Sequence, residues 1–101
     1  MDFYQGDIIR ISKLPDRYLI VSKNAFIRSA GVFHVCPVLK TLKEGPAHIK
    51  IHGYHGEEGV VVCEQIKFTD PSVRSCMKTD SISYDQIMNI SDVIQGIFEY
   101  D

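Results

Sequence analysis

The sequence predicts a mainly β protein in which a small, strongly bent antiparallel sheet or barrel carries one C-terminal helix. Short runs rich in β-branched residues, bounded by Gly, Pro, Asn or Asp, fill most of the chain before residue 83. From there the apolar residues change to helical spacing. With 101 residues, 45% hydrophobic and 24% charged, the chain fits one domain over residues 1–101 with an ordinary core.

Five strands are predicted from apolar runs. The fourth alternates with a period of two and places His48, Lys50 and His52 on one face. The fifth is apolar up to its last residue, Glu64, which predicts burial on both faces. Short loops between successive runs favour antiparallel pairing. The predicted strands are Ile8–Ile11, Tyr18–Ser22, Val32–Cys36, Ala47–His52 and Val60–Glu64.

Four further segments have a less regular pattern. Asn24–Ser29 predicts a single helical turn, and Pro37 predicts a strand end or a bulge in the third strand. Gln65–Thr69 is interpreted as a bent continuation of the fifth strand. Val73–Met77 is interpreted as one more short strand.

The C-terminal helix is predicted from about Ser83 to about Glu99. Ser83 with Gln86 three residues on is a capping-box pattern, which marks a helix start. The apolar stripe that predicts burial of one helix face consists of Ile87, Ile90, Ile94 and Ile97.

Charge and cysteine usage exclude several classes of protein. A formal net charge of −2 gives no global attraction to nucleic acid or to an anionic membrane, so any polyanion site has to be a local patch. The chain has an odd number of cysteines, Cys36, Cys63 and Cys76, and they lack CxxC spacing. This pattern predicts reduced, buried thiols. The N-terminus does not have the pattern of a signal peptide, and no window approaches 18 apolar residues. We therefore expect a cytoplasmic protein without a membrane partner.

Glu64 and Gln65 stand out because they end a run of buried-strand character, Val60–Cys63. Two interpretations are open. A glutamine there can satisfy backbone groups of a loop, which is a structural role. Alternatively, the pair belongs to a functional site at the margin of the core.

The histidines His48, His52 and His55 lie within eight residues, which raises the possibility of a zinc site. Their spacing argues against it: His48 and His52 are about 13 Å apart along one strand face, and no cysteine or carboxylate has the spacing of a recognised zinc ligand. We expect structural or solvent-facing histidines, and neither a metal nor another cofactor.

Basic residues outside the helix are interleaved with aromatic residues, a composition typical of sites for single-stranded nucleic acid, in which cations hold phosphates and rings stack on bases. A solvated surface has the same composition, so both interpretations stay open. Most of the remaining acidic residues lie in or near the helix, which favours a local basic face. The basic residues are Arg17, Lys23, Arg28, Lys40, Lys43, Lys50, Lys67 and Arg74.

The order of several short motifs resembles that of the MazF/PemK toxins of bacterial toxin–antitoxin systems, over nearly the whole chain. The motifs are Gly6-Asp7-Ile8-Ile9, Arg17 before Leu19–Asn24, Val35-Cys36-Pro37-Val38, and Gly59–Lys67 with Asp70. The resemblance implies an SH3-like barrel that forms a homodimer, cleaves single-stranded RNA without a metal and is held inactive by a small antitoxin protein.

The resemblance also implies roles for individual residues. Arg17 matches the family's catalytic arginine, and a guanidinium can stabilise the charge that builds on a phosphate attacked by the ribose 2′-OH. Glu64 matches the acidic residue that is assigned in some members as the base, and partial desolvation at a strand exit would raise its pKa toward a useful value. The residues we expect to contact RNA are Lys23, Arg28, Lys40, Thr41, His48, Gln65 and Lys67.

Three departures from the family pattern bear on activity. Leu39 occupies the position of the usual catalytic Thr or Ser, with Thr41 two residues on. The loop before Arg17 is shortened to Ser12–Asp16, and Val62 stands where some members have an arginine. Losing one hydroxyl donor commonly costs a rate factor of about a hundred to a thousand.

Two hypotheses follow. The first is an endoribonuclease toxin of the MazF/PemK type. The second is a catalytically degenerate barrel that acts as a non-enzymatic binding module for protein or nucleic acid, including DNA, similar to the related gyrase-inhibiting toxins.

Overall fold

A computed structural model describes residues 2–100, which form seven strands and two helices. In chain order the elements are β1 (Asp7–Ile11), β2 (Arg17–Ile20), α1 (Asn24–Ala30), β3 (Phe33–Leu39), β4 (His48–His52), β5 (Glu58–Val62), β6 (Lys67–Thr69), β7 (Cys76–Ser81) and α2 (Tyr84–Ile97). The predicted class, a bent antiparallel sheet with a C-terminal helix, is confirmed.

All strand pairs are antiparallel, and the strand order is β4-β5-β3-β2-β1-β7, with β6 also paired to β3. The sheet is not closed by a ladder between its edge strands β4 and β7. The edges nevertheless approach each other, because the N–H of Tyr54, just after β4, donates to the carbonyl of Ser81 at the end of β7 over 2.9 Å. The result is a barrel-like sheet with one open seam.

Pro37 lies inside β3, which continues to Leu39 in regular register with β2, so the predicted strand end or bulge there is wrong. On one side Pro37 pairs with Tyr18 of β2. On the other side β6 pairs with residues 33–35 and β5 with residues 38–39, which leaves Pro37 between the two partner strands. A residue without an N–H is tolerated there because no strand partner requires that hydrogen bond.

Two apolar clusters form the core. One includes Leu19, Val61 and Cys63 from the sheet together with Ile87 and Ile90 of α2, and the other lies on the opposite face of the sheet. The predicted burial of Val60–Cys63 is confirmed. The thiols of Cys36, Cys63 and Cys76 are free and buried, as predicted. Burial raises the pKa of Cys36 to about 12 and that of Cys63 to about 11, so both stay protonated at neutral pH.

Helix α2 agrees with the prediction, with Ser83 as its N-cap. The Ser83 hydroxyl accepts from the Gln86 N–H, but the Gln86 side chain does not close a capping box on the backbone of Ser83. Its amide instead accepts from the His52 N–H over 2.8 Å and donates to the His52 carbonyl over 3.0 Å. Gln86 thereby links the start of α2 to the end of edge strand β4.

Three sequence predictions about boundaries are wrong. Helix α1 has seven residues rather than a single turn, and the Asn24 side chain accepts from the Gln5 N–H instead of capping it. The chain turns after Val62, so β6 is a separate strand on β3. The last strand begins at Cys76 and not at Val73, because the N–H groups of Val73 and Arg74 bond to the Asp70 carbonyl in a turn.

Within residues 2–100, neither helix has the length and apolar character needed to cross a lipid bilayer.

Candidate functional site

Arg17 begins β2 and lies across from Val38 of β3. Its Nε donates to Oε2 of Glu57 over 3.3 Å, and the two side chains are 30% and 20% exposed. No other hydrogen bond of Arg17 side-chain nitrogens occurs within residues 2–100. The two terminal nitrogens of the guanidinium therefore remain available for a ligand, in the forked geometry that suits phosphate.

Arg10 of β1 lies directly across from Arg17 in the β1–β2 ladder. Like charges at directly opposite positions destabilise a sheet, and an anion placed between them relieves the repulsion. Glu57 supplies one negative charge at this position. A phosphate at the free side of Arg17 would supply another, so the local charge favours anion binding.

Glu57 lies in the loop between β4 and β5, immediately before β5. The oxygen that accepts from Arg17 Nε also accepts from the hydroxyl of Thr79, whose oxygen lies 3.3 Å from the Ile8 carbonyl oxygen. Arg17, Glu57 and Thr79 thus form a continuous hydrogen-bonded cluster, which we call the arginine cluster. It joins β2, the β4–β5 loop and β7.

Thr79 is the extra residue of a bulge in β7. Ile8 pairs with Asp80 and Ile9 pairs with Lys78, so Thr79 has no opposite residue in β1. In a regular strand Thr79 and Asp80 would point to opposite faces. A bulge redirects one of two successive side chains, and here both contact Glu57: Thr79 binds its carboxylate and Asp80 binds its N–H.

Asp80 is 1% exposed and holds the β4–β5 loop through the backbone. Its carboxylate accepts from the N–H groups of His55, Glu57 and Ser81 over 2.9, 3.0 and 2.7 Å. Burial acts to raise the pKa of Asp80, but these three N–H groups outweigh it and lower the pKa below its ordinary value. Gly53 allows the close approach, since a Cβ there would lie 2.0 Å from an Asp80 oxygen.

An open groove of about 790 Å³ borders Glu57. Its lysines come from the β3–β4 loop and from β4. Its carboxylates come from the β3–β4 loop, the β4–β5 loop and the start of β5. The charges are mixed, so the groove as a whole is not a strongly basic patch. Its charged lining residues are Lys40, Lys43, Glu44, Lys50, Glu57 and Glu58.

Glu64 follows the C-terminal end of β5, whereas Glu57 precedes its N-terminal end. Its Oε2 is 3.0 Å from His48 Nε2, and 44% of the side chain is exposed. The hydrogen bond from His48 is the main cause that lowers the pKa of Glu64. The expectation that desolvation at the strand exit would raise this pKa is therefore wrong, because the turn after Val62 carries Glu64 into solvent. We call Glu64 and His48 the histidine pair.

Arg17 and Glu64 have separate partners. Glu57 and Glu64 flank the five residues of β5, which rise about 16 Å. Arg17 contacts the residue at one end of the strand, and Glu64 follows the other end. The structure thus does not bring the two sequence-predicted catalytic residues into contact.

The residues expected to contact RNA fall into three groups along the sheet. Lys40 and Thr41 follow the C-terminal end of β3, close to the arginine cluster. His48 and Gln65 belong to the region of the histidine pair. Toward the other end of β3 lie Lys23 and Arg28, which flank or belong to α1, and Lys67, which pairs with Val35.

Leu39 is the last residue of β3, pairs with Val60 and is half-buried, and Thr41 is exposed beyond the strand. Leu39 thus presents an apolar side chain at the end of β3, on the opposite face from Val38, the strand partner of Arg17.

Glu57, Thr79, Asp80 and Arg10 were not identified as site residues from the sequence. No motif marks them, because their arrangement depends on one bulge and one loop that fold together from distant segments. Two features of the sequence could have indicated this site. They are Gly53 and the polar run Lys78–Ser81, whose polarity is unusual for a strand.

Comparison with known proteins extends these observations. Residues 10–98 match the family described as "PemK-like, MazF-like toxin of type II toxin-antitoxin system". No curated protein matches the chain in sequence.

The fold is similar to that of solved MazF structures. A MazE-MazF crystal structure from Deinococcus radiodurans has a TM-score of 0.81 at 18% identity, covering 95% of this chain and 97% of that one. An endoribonuclease from Mycobacterial species has a TM-score of 0.76 at 18% identity, with 93% and 88% covered. An endoribonuclease with its cognate antitoxin, also from Mycobacterial species, has a TM-score of 0.79 at 15% identity, with 99% and 100% covered.

The sequence match extends over most of the chain, from within β1 to just beyond α2, and includes Arg17, Glu57, Glu64 and Thr79. The structural matches agree with it independently. The chain therefore belongs to the PemK-like, MazF-like toxin family of type II toxin–antitoxin systems.

Proposed function

We propose that this chain is a toxin that cleaves single-stranded RNA without a metal ion, acts as a homodimer and is neutralised by an antitoxin protein. Family membership supports the activity class. The observation that carries the proposal is Arg17, whose Nε is bound to Glu57 while its terminal nitrogens are unbonded within residues 2–100. A guanidinium held in this way suits a phosphate that gains negative charge during reaction.

The proposed reaction begins with attack of the ribose 2′-oxygen on the adjacent phosphorus. The new P–O bond forms as the bond to the 5′-oxygen breaks, which leaves a 2′,3′-cyclic phosphate and a 5′-hydroxyl. The 2′-OH proton goes to a base, and the departing 5′-oxygen gains a proton. Arg17 stabilises the charge on the non-bridging oxygens, with Arg10 as a second nearby cation.

Glu64 is the proton acceptor proposed from the resemblance. Its lowered pKa means that the carboxylate is ionised at neutral pH and is a weaker base than an ordinary glutamate. The imidazole of His48, whose Nε2 lies 3.0 Å from Glu64 Oε2, is a second polar group beside the proposed acceptor. Glu64 and His48 are therefore tested together.

Lys40 and Lys50 line the groove beside Glu57 and are the proposed contacts for the RNA backbone near Arg17, with Thr41 next to Lys40. Lys23, Arg28 and Lys67 are proposed as contacts for more distant nucleotides, because they lie toward the other end of β3. His48 and Gln65 would contact only those nucleotides that lie next to the histidine pair.

The test is cleavage of a labelled single-stranded RNA by the purified protein in the presence of EDTA, with the ends analysed for a 2′,3′-cyclic phosphate. We expect R17A to lower kcat by about a thousand-fold, the range seen when one charge-stabilising donor is removed. E64Q and H48A test the proton acceptor. Cleavage that survives both R17A and E64Q unchanged would refute these assignments.

Leu39 favours a second candidate function, a non-enzymatic binding module, because an apolar side chain replaces the usual hydroxyl at the end of β3. This protein would bind RNA, DNA or a protein target without turnover. Multiple-turnover cleavage by wild-type protein, lost in R17A, would eliminate this candidate.

A further inference from the structure

Arg17 can stabilise a phosphate only if its long side chain is held in one orientation, and Glu57 is the residue that holds it. We propose that Glu57 is the positioning residue of this site, fixed in turn by Thr79 and Asp80, and that it directs the free nitrogens of Arg17 toward the scissile phosphate. The inference rests on the proposed RNA cleavage and adds to it a carboxylate other than Glu64.

The bonding pattern of Glu57 suits positioning. One oxygen, Oε2, accepts from both Arg17 and Thr79, which fixes the carboxylate by two bonds of different direction. Arg17 uses only Nε in this bond, so the forked end of the guanidinium stays free. With both side chains at least two-thirds buried, the ion pair is less screened by solvent than an exposed pair.

The backbone of Glu57 is fixed independently of its side chain. Asp80 accepts from the Glu57 N–H, and the bulge at Thr79 allows Thr79 and Asp80 to contact the same residue. Two successive residues of β7 therefore hold both the backbone and the carboxylate of Glu57. This arrangement limits the movement of Arg17 more than a salt bridge between two flexible side chains does.

The orientation of the Arg17 side chain matters more because Leu39 occupies the end of β3. Leu39 at the end of β3 provides no hydrogen-bond donor. Charge stabilisation therefore depends on cations, which are the Arg17 guanidinium and Arg10 opposite it in the β1–β2 ladder.

The kinetic test compares E57A with D92A. Asp92 is the control because it is an exposed carboxylate on α2, outside both the arginine cluster and the lining of the groove. We expect E57A to lower kcat by about a hundred-fold, the effect of misplacing a reacting group by about 1 Å, with KM changed less than about three-fold. We expect D92A to retain wild-type kinetics.

Two further variants separate positioning from a structural role. E57Q keeps an oxygen that can accept from Arg17 Nε, so it should recover part of the kcat lost in E57A. The double variant R17A/E57A should be no slower than R17A, because Glu57 acts through Arg17. Additive losses in the double variant, or a loss confined to KM, would overturn the proposal.

A second measurement does not depend on RNA cleavage. In the ¹⁵N spectrum of arginine side chains, the Arg17 Nε–H signal, assigned from its absence in R17K, should exchange slowly with water in the wild type and in D92A. It should exchange rapidly in E57A and at an intermediate rate in T79V, in which the hydroxyl is lost and the charge of Glu57 is retained. Slow exchange in E57A would overturn the proposal.

The two measurements separate the possible failures. If the wild type does not cleave RNA, the proposed function fails and the kinetic part of the inference fails with it. The exchange rate of Arg17 Nε–H still decides whether Glu57 holds Arg17. Circular dichroism melting of each variant shows whether a loss of signal reflects unfolding.

Discussion

The arginine cluster and the histidine pair both join a carboxylate to a basic side chain, but they differ in how the carboxylate is held. Glu57 is mostly buried and bonds to two side chains, and its N–H bonds to Asp80. Glu64 is exposed and bonds to one histidine. The first arrangement fixes a geometry, whereas the second is an ordinary surface contact with a lowered pKa.

The difference shows that position next to a buried strand does not make a carboxylate part of a rigid site. Glu64 directly follows Cys63, which is fully buried, yet a turn places it in solvent. Glu57 lies in a loop and becomes rigid through β7, a strand distant in sequence. Three predictions test whether the two regions differ in this way.

The largest expected effect is on stability in D80A. This change removes a buried carboxylate and leaves the N–H groups of His55, Glu57 and Ser81 without their acceptor. We expect the free energy of unfolding to fall by about 3 kcal/mol or more, measured by urea denaturation. D92A is the control, because Asp92 is exposed on α2, and it should change stability by less than about 0.5 kcal/mol. Equal effects would mean that Asp80 does not hold the loop.

A smaller effect on the free energy of unfolding is expected when the pH is lowered. The pKa of Asp80 is lowered in the folded protein, so its ionised form stabilises the fold above the unfolded pKa of about 3.9, and this contribution is lost as pH falls through the lower folded value. The stability difference between wild type and D80N should be constant from pH 7 to about 4 and should shrink below it. A difference that already shrinks between pH 7 and 5 would contradict the assignment to Asp80.

The smallest effect is expected in the histidine pair. Breaking an exposed pair by H48A should change the free energy of unfolding at pH 6 by less than about 1 kcal/mol, and 0.5 M NaCl should reduce the difference further. Urea denaturation of both proteins, without added NaCl and with 0.5 M NaCl, measures this difference. A loss as large as that in D80A would show that the histidine pair is as rigid as the arginine cluster.

Most of the fold could be predicted from the sequence because most of its elements are determined by local residue patterns. The apolar run Val60–Cys63, the capping residue Ser83 and the isoleucine stripe of α2 each determine an element through their own neighbours. The boundaries of β7 could not be predicted in the same way. Its polar residues Lys78–Ser81 become a strand because they pair with β1, which is distant in sequence.

The candidate site could be predicted only in part. Arg17 was proposed from the motif order, and the structure places it in a half-buried cluster in which its terminal nitrogens are unbonded within residues 2–100. Its partner Glu57 could not be found, because the contact depends on the bulge at Thr79 and on the loop held by Asp80. A bulge is a property of the register between two strands, and one strand alone does not contain that information.

The way in which Asp80 holds the β4–β5 loop has a consequence for how this protein can vary. Its carboxylate bonds to the N–H groups of His55 and Glu57, which are common to almost all amino acids, and it makes no demand on the side chains. Tyr54 and His55 are exposed and can be exchanged while the backbone path of the loop is kept. Three positions are exceptions: Gly53 has to be small, Gly56 has a φ of 95° that favours glycine, and Glu57 binds Arg17. The rest of the loop is thus a segment of fixed shape and changeable surface beside the groove.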